Sequence, residues 1–462
     1  MLVSGSIQLL LVTLATTFGV PAQEIITRDV VILGGGATGT YAAVQLIERG
    51  HTVVVVEREN RLGGHSDTLY LPNGWIDYGI RAYFKLPVVQ NFFAQLNVDR
   101  EIYVPGALRT DSINFQTGER VPYDDGLLST ALALVRYRAV LTPFDYLRSG
   151  GYYLPEPVPE VLLRPFSEFV EQYDLAGILR LLYTFSDPLG DILGTPLLYV
   201  LQTFGIAHID ALLAGPMMRP KNGSAELFRA AAAYINESNI FYESIATQAT
   251  RSSSGVELVV DSAGLRRIIR ASKLLITFPP LLSNFEGFDL DENEVSLFSK
   301  FMFQGYYAAV FNNSGLPDGF NIYNTDPNNQ PGNLPVGRYQ SMLDYPGIPG
   351  FYSTRIVGEE NFTEVEARQL VLDDIRRMGD AGTFPVHEHP EIVAFESHTP
   401  SAVMVPVEDV RSGFYRKLYA LQGQRSTYYT GLTFCTDFSA QLWNYTLAIV
   451  DMMTADQARV DL

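Results

Sequence analysis

The first regular pattern along the chain is a short run of apolar, mostly β-branched residues over 29–33, which reads Asp-Val-Val-Ile-Leu. Such a run is typical of a strand buried on both faces of a parallel sheet. The segment 41–49 has a helical composition and stops before Gly50, a residue that can terminate a helix. A second β-branched run follows over 51–57. The pattern predicts a strand, a turn, a helix and a strand, the unit of parallel α/β sheets.

The turn between the first strand and the helix reads Gly-Gly-Gly-Ala-Thr-Gly, and its spacing satisfies G-x-G-x-x-G. The first glycine of this spacing permits a tight turn, the second lets backbone approach a pyrophosphate, and the third lets helix and strand pack. The helix N-terminus adds a positive dipole. The predicted cofactor-binding residues here are Gly34, Gly36, Ala37, Thr38 and Gly39. Glu57, at the end of the second strand, can accept hydrogen bonds from a ribose diol. A carboxylate at this place disfavours a 2′-phosphate and therefore NADP.

A second glycine pair follows directly, because 57–65 reads Glu-Arg-Glu-Asn-Arg-Leu-Gly-Gly-His. In this segment the chain resembles the flavin-containing amine oxidase superfamily. The residues that the resemblance places against the FAD diphosphate and the flavin are Glu57, Arg61, Gly63 and Gly64. His65 would then lie close to the flavin, where it could contact the phosphates, hydrogen-bond the ring or tether it.

Later segments follow the order of the same superfamily. The run 240–249 around Ile245 resembles the stretch that passes the adenine, and 273–280 resembles the strand that returns to the sheet. A strand end at Gly431 precedes a helix that we expect to begin near residues 439–440. In the family, the N-terminal dipole of this helix points at the pyrimidine edge of the flavin.

In finer detail the chain resembles the fungal β-cyclopiazonate dehydrogenase group, through the segments 34–43, 413–423 and 442–445. That group consists of flavoenzymes from natural-product pathways. The resemblance therefore implies FAD as cofactor and a secondary metabolite as substrate, although shared motifs do not identify the substrate.

The resemblance implies an α/β protein in which a Rossmann-type FAD-binding domain is interleaved with an α+β substrate domain, as in amine oxidases. The FAD-binding domain is assigned to 24–85, 225–283 and 400–462. The substrate domain takes 86–224 and 284–399.

The segments of the substrate domain are rich in Tyr, Phe, Leu and Pro, which suits an apolar small-molecule substrate and equally an ordinary core. Amine oxidases of the superfamily usually carry a Lys near the flavin, on a strand that corresponds here to 303–311. No Lys occurs in that strand; Lys300 precedes it, and Tyr306 or Tyr307 takes the position instead. The candidate catalytic residues are Tyr307 and also His398, since a histidine exchanges protons near neutral pH.

Three functions fit these observations. The first is an FAD-dependent oxidoreductase that oxidises an apolar, even polycyclic, metabolite by hydride transfer, with oxygen or another compound as the electron acceptor. Desaturation, oxidative cyclisation and alcohol oxidation are all compatible with it. The second is a secreted amine or amino-acid oxidase that produces hydrogen peroxide, which the missing Lys disfavours. The third is a flavin-binding protein without turnover.

The composition is that of a folded globular protein and argues against one class of partner. Of 462 residues, 47% are hydrophobic and 18% are charged, which excludes disorder. The formal net charge is −18, so a nucleic acid would be repelled. His387 and His389 form a local histidine cluster, but no third ligand is evident, and we predict no metal site.

Residues 1–23 carry no charged side chain and contain an apolar stretch followed by small residues, a pattern typical of a secretory signal peptide. We expect a secreted or lumenal protein with no stable membrane span after signal removal; an uncleaved anchor is the alternative, because the leader lacks Lys and Arg. The sequons are Asn222, Asn236, Asn312, Asn361 and Asn444. Cys435 is the single cysteine. By default it is a small buried hydrophobic residue, and the alternatives are a reactive thiol and a flavin tether.

Overall fold

The computed structural model describes residues 24–107, 109–123, 126–387 and 389–455. The predicted signal peptide at 1–23 lies outside them. Within these ranges no helix is both long and apolar enough to cross a membrane.

The described chain contains runs of strands and runs of helices as well as alternating elements. The strands are β1 (Glu24–Leu33), β2 (Val53–Val56), β3 (Thr68–Leu71), β4 (Gly74–Asp77), β5 (Arg100–Ile102), β6 (Arg109–Ile113), β7 (Met218–Pro220), β8 (Ile240–Phe241), β9 (Ser244–Ser252), β10 (Gly255–Ser262), β11 (Leu265–Ile276), β12 (Met302–Asn312), β13 (Phe320–Asn324), β14 (Tyr339–Asp344), β15 (Tyr352–Glu359), β16 (Glu391–Ser397), β17 (Ser401–Met404) and β18 (Thr427–Tyr429). The α-helices are α1 (Ala37–Glu48), α2 (Pro87–Gln95), α3 (Leu127–Val140), α4 (Phe166–Gln172), α5 (Leu179–Ser186), α6 (Leu197–Phe204), α7 (Ile206–Leu213), α8 (Ala225–Ile235), α9 (Glu292–Phe298), α10 (Glu364–Asp380), α11 (Val407–Arg411), α12 (Phe414–Tyr419) and α13 (Ser439–Ala455).

The first sheet is a Rossmann-type sheet with the strand order β8-β2-β1-β11-β10-β9, and β18 pairs with β11. Strand β1 runs parallel to β2 and β11, with Leu33 opposite Val56 and Ile276. Strand β18 is also parallel to β11. The carboxyl ends of β1, β2, β11 and β18 therefore meet at one edge, which is where open α/β sheets bind their ligands.

Helix α1 covers the first sheet and begins earlier than predicted. It starts at Ala37, directly after the glycine turn, whereas the composition suggested Tyr41. Thr38, Gly39 and Thr40 in its first turn are poor helix formers, but packing overrides local propensity here. Helix α1 packs against α13 and α8, and Trp443 of α13 donates a hydrogen bond to the carbonyl oxygen of Ala37 at 3.1 Å.

The second sheet has the order β16-β12-β15-β14-β13-β6, and β17 pairs with β12. Its pairs are antiparallel except for β13 with β6. The strand expected at 303–311 is present as β12. Strand β17 belongs to this sheet although it lies just beyond the predicted boundary at residue 400. The division of the chain into three FAD-binding and two substrate segments stays a prediction.

The two sheets bury separate cores. The larger core joins the first sheet to α1, α13 and the helices of the substrate segments. A smaller core lies between the second sheet and α10. One face of strand β12 lies in the smaller core through Tyr307, Ala309 and Phe311. On the other face, Ala308 and Val310 form a third cluster with Ile76 and Tyr78, and Tyr306 packs against the larger core, so successive residues of this strand enter different environments.

Candidate active site

Two glycine segments meet at the carboxyl edge of the first sheet. Gly34 has a φ of +100°, and a Cβ on Gly39 would lie 1.9 Å from the carbonyl oxygen of Gly34. Gly36 forms a bridge with Gly63, and a Cβ on Gly64 would lie 3.1 Å from the Cα of Gly36. Bare backbone is therefore required at both segments. We call 34–39 together with 63–64 the glycine cradle.

The N-terminus of α1 opens onto the glycine cradle. Gly36 is the N-cap, and no side chain caps the helix there. The backbone N–H groups of the first turn, which includes Ala37 and Thr38, thus lack a side-chain acceptor and add to the helix dipole. The hydroxyl of Thr40 donates to the carbonyl oxygen of Gly35 at 2.8 Å, which fixes the turn. This arrangement suits a phosphate group.

Glu57 lies beside the glycine cradle, where a ribose contact requires it. Its carboxylate accepts hydrogen bonds from the N–H groups of Gly35 at 2.5 Å and Glu59 at 2.8 Å. Burial raises the pKa of Glu57. The N–H of Ser244 donates to the backbone carbonyl oxygen of Glu57 at 2.9 Å. This contact brings the neighbouring Ile245, which is exposed, to the same corner of the sheet.

The third predicted piece also reaches this edge. Strand β18 ends at Tyr429, and α13 begins at Ser439 as the sequence predicted. Gly431 has a φ of +116°, and a Cβ there would lie 2.9 Å from the carbonyl oxygen of Thr277. Bare backbone at three places, a helix N-terminus and a ribose-side carboxylate together fit a flavin dinucleotide.

A buried cluster of charged and aromatic side chains adjoins the glycine cradle. Arg61 donates to the carbonyl oxygen of Gly64 at 3.0 Å and also pairs with Asp67. The other carboxylate oxygen of Asp67 lies 2.7 Å from Nε2 of His398. The ring of His398 stacks on His65, with 4.2 Å between centroids and 16° between planes. Arg61, His65 and Asp67 are thus joined in one cluster with His398, which lies far from them in the sequence.

The two histidines of this cluster differ in their electrostatics. Burial, reinforced by the positive charges of His398, Arg58 and Arg61, holds the pKa of His65 well below its usual value. His65 is therefore neutral at physiological pH. His398 has the Asp67 carboxylate as its partner, and both side chains are almost fully buried. Of the two rings, that of His398 has the carboxylate partner.

The structure separates the two tyrosines of β12. Tyr306 lies on the side of His398, with 6.0 Å between their rings, and its carbonyl oxygen accepts the N–H of His398 at 2.8 Å. Tyr307 does not reach this site, because its hydroxyl donates to the carbonyl oxygen of Phe362 at 2.5 Å in the smaller core. Strand alternation forces the separation. Lys300 is also distant, since it pairs with Asp409 at the surface.

Several residues of the site were missed by sequence reasoning. Asp67 stands two residues after His65, and this spacing, which places both side chains on one face of an extended segment, is the local signal for it. Four further charged residues lie near Tyr306: Arg81, Asp187 and Arg355 act on it electrostatically, and Asp344 pairs with Arg81. No local motif marks them, because they come from four separate segments.

Two candidates remain, Cys435, whose backbone N–H donates to the carbonyl oxygen of Gly431 at 3.2 Å, and the histidine pair at 387 and 389. Cys435 is buried, and burial raises the pKa of its thiol; a Cβ on Gly150 would lie 2.9 Å from its Sγ. His387 contacts the side chain of Asn313 at 3.1 Å. Among the described residues, no group of three potential ligands could hold a metal ion.

Comparison with known proteins agrees with this geometry. Residues 32–96 match the family model of the NAD(P)-binding Rossmann-like domain. The beta-cyclopiazonate dehydrogenase of Aspergillus oryzae is 39% identical over 444 residues, which cover 96% of each chain. FAD-dependent oxidoreductases of Emericella nidulans and Monascus ruber are 31% and 30% identical, over 92% and 93% of this chain and 91% and 92% of theirs.

Solved structures share the fold. The CLA-producing fatty acid isomerase from P. acnes superposes with a TM-score of 0.74 at 21% identity, over 92% of this chain and 99% of that one. Putrescine oxidase bound to putrescine superposes with a TM-score of 0.65 at 13% identity, over 94% and 100% of the two chains. At these identities the likeness concerns architecture only.

Proposed function

This chain belongs to the family of fungal FAD-dependent oxidoreductases that includes beta-cyclopiazonate dehydrogenase, and we propose that it oxidises an apolar secondary metabolite by hydride transfer to FAD. The observation that carries the proposal is the buried contact of His398 with Asp67 directly beside the glycine cradle. It supplies a proton-accepting group where the substrate would meet the cofactor.

The cofactor-binding roles follow from the geometry of the edge. The glycine cradle and the N-terminus of α1 would hold the diphosphate, and Glu57 would bind the adenosine ribose. Ile245 would lie along the adenine, while Gly431 and the start of α13 would border the flavin ring. Bound FAD supplies the hydride acceptor.

Oxidation of this kind removes a hydride and a proton from the substrate, so the protein must take up the proton. The Asp67 carboxylate accepts from Nε2 of His398 and so keeps a proton on that atom. The lone pair of the ring is then on Nδ1, which would accept the proton of the substrate. The neutral ring of His65 covers one face of His398 and keeps its orientation fixed. Tyr306 would border the substrate on the same side.

The proposal is tested by anaerobic reduction of the purified holoenzyme. We expect apolar polycyclic alcohols or alkaloids to bleach the visible flavin band and simple primary amines to leave it unchanged. His398→Gln should slow the bleaching by about a hundredfold or more, the contribution of a positioned base. His387→Gln is the matched control, since His387 is exposed and its ring contacts the side chain of Asn313, away from the glycine cradle. Rapid bleaching by simple amines, with hydrogen peroxide released under air, would favour an amine oxidase instead.

Secretion and glycosylation belong to the same proposal. Asn222, Asn236, Asn361 and Asn444 are exposed, whereas Asn312 is half-buried and its Oδ1 lacks a hydrogen-bond partner. The four exposed sequons are therefore the expected carriers of glycan. After expression in a fungal host, an N-glycosidase should lower the mass of the protein recovered from the medium. Retention of the unmodified, full-length chain inside the cell would contradict this.

A further inference from the structure

Helix α3 presents a row of apolar side chains to the outside of the molecule. The exposed residues of this row are Leu128, Ala131, Leu132, Val135 and Ala139. Their spacing of three or four residues places them on one face of the helix. In a surface helix such a face normally packs on the core, whereas here it points outward. We call these five residues the apolar stripe.

The larger side chains of the apolar stripe are well exposed. Leu128, Leu132 and Val135 are each more than half exposed, and the adjoining Leu127 is 93% exposed. Among the described residues, no other helix exposes as many large apolar side chains. Single apolar residues are normal on a protein surface, but a contiguous set of them marks a site of interaction.

The opposite face of α3 is already packed, so the helix cannot turn its apolar stripe inward. Ala133 and Tyr137 are buried on that face. The hydroxyl of Tyr137 donates to the carbonyl oxygen of Phe204 at 3.0 Å, and the two rings lie nearly parallel. Burying the apolar stripe by rotation would break these contacts. The outward face is therefore available to a separate partner.

The charges around the apolar stripe favour a partner without net charge. The chain as a whole carries −18, but α3 contains no acidic residue and only two basic ones. Arg136 pairs with Asp174, and Nε of Arg138 lies 2.6 Å from a carboxylate oxygen of Asp210. Both cations are thus compensated by acids from other segments. A strongly charged partner of either sign would find no complementary charge here.

A second copy of this chain is the weaker candidate for the partner. Helix α3 has 14 residues, so it is about 21 Å long and about 10 Å wide, and one face offers roughly 200 Å². A stable protein interface buries about 800 Å² on each partner. Two copies also repel each other through their net charges of −18. A lipid surface requires neither a large interface nor a complementary shape.

We propose that the apolar stripe docks the protein on the surface of a neutral, zwitterionic phospholipid membrane, with α3 lying in the plane of the head groups. Leu128 and Leu132 would enter the boundary between head groups and acyl chains. Their removal from water would supply most of the affinity. The protein would lie on the membrane without crossing it.

The position of α3 gives this docking a use. The ring of Phe204 lies against that of His208, and the ring of His208 lies 4.4 Å from that of Phe438. Phe438 directly precedes α13, whose start we propose to border the flavin. Three ring contacts thus lead from Tyr137 of α3 to the cofactor side of the molecule. A membrane dissolves apolar compounds and would hold the substrate on this side; in this respect the inference rests on the proposed function.

Co-sedimentation of the purified holoenzyme with phosphatidylcholine vesicles tests the inference. We expect the protein to sediment with the vesicles and to stay bound when the salt concentration is raised, because apolar contact is not screened. Adding phosphatidylserine to the vesicles should weaken the binding, since anionic lipid repels a chain with a net charge of −18.

Substitutions in the apolar stripe show which part of the chain binds the lipid. The double variant Leu128→Ser/Leu132→Ser should lower the partition coefficient by about a hundredfold, or about tenfold for each leucine. The pair Leu127→Ser/Val135→Ser serves if the first variant fails to fold. Val365→Ser is the matched control, because Val365 is also exposed on a helix, between Glu364 and Glu366. It should sediment as the wild type does.

Three results would overturn the inference. The first is a wild-type protein that stays in the supernatant with phosphatidylcholine vesicles or binds better to the anionic ones. The second is unchanged binding in the double variants, which would assign the lipid contact to another part of the chain, such as the apolar leader. The third is a wild-type dimer in analytical ultracentrifugation that the double variant dissociates. A colourless protein that shows the expected lipid binding would contradict the proposed function alone.

Discussion

Replacing Asp67 with asparagine removes one negative charge from the centre of the site. Asp67 lies between Arg61 and His398 and contacts both through separate carboxylate oxygens. Asparagine keeps the shape of the side chain but can turn an amide N–H toward Nε2 of His398. The ring proton then moves to Nδ1, the atom that we propose as the acceptor of the substrate proton. The variant should therefore bind FAD and still be slow.

The size of the expected loss of stability follows from the burial of Asp67. The Asp67 side chain is 2% exposed, so solvent does little to screen its two contacts. Removing one partner of a buried charged pair costs about 3–5 kcal/mol. Because Arg61 is one-third exposed and can regain water, we expect the free energy of unfolding to fall by about 3 kcal/mol, the low end of that range. The rate of flavin reduction should fall by about 100- to 10,000-fold, the range measured for a positioned base.

Urea unfolding and anaerobic stopped-flow reduction of the flavin measure the two effects. Asp451→Asn is the control, because Asp451 pairs with Arg49 at the surface and is 61% exposed. Its loss should cost less than about 1 kcal/mol and leave the rate unchanged. An Asp67→Asn enzyme with bound flavin and a wild-type rate would refute the reasoning, whatever its stability.

Three further predictions concern other parts of the molecule. Gly39→Ala should abolish FAD retention on purification, because a Cβ there would clash with the turn; the ratio of flavin to protein absorbance reports it. Burial raises the pKa of Asp77 from 3.8 to about 6, so the folded state binds this proton more tightly and stability falls as pH rises through that interval. Asp77→Asn should remove this part of the pH dependence in urea unfolding. Tyr306→Phe should slow flavin reduction. Tyr307→Phe should leave the rate of flavin reduction unchanged, but it should lower the free energy of unfolding by about 1 kcal/mol, because the hydrogen bond to the carbonyl oxygen of Phe362 is lost.

The glycine cradle could be located from the sequence because its chemistry is local. The turn, the helix and the second glycine pair all lie within 29–65, where Gly34 has a positive φ and a Cβ on Gly39 or Gly64 would meet neighbouring backbone. The start of α1 was placed four residues late, since its first turn has weak helix propensity and depends on Trp443 of α13. Such a contact between the two ends of the chain is invisible to local patterns.

The catalytic side could not be predicted with the same precision. Asp67 and His398 are 331 residues apart in the chain, and the ion pairs of Arg81 with Asp344 and of Arg355 with Asp187 draw on four separate segments. The choice between Tyr306 and Tyr307 depends on strand register, because a shift of one residue turns every side chain to the opposite face. Sequence patterns identify the strand; the neighbouring β15 and β16 fix which face meets the site.

The visible absorption spectrum of the purified protein, recorded before and after acid precipitation, tests most directly whether the glycine cradle holds FAD. We expect one flavin per chain in the native protein and none in the Gly39→Ala variant. Colour that stays in the pellet would put His65 and Cys435 under test as covalent tethers. A folded wild-type protein that is colourless and takes up no added FAD would contradict the central claim.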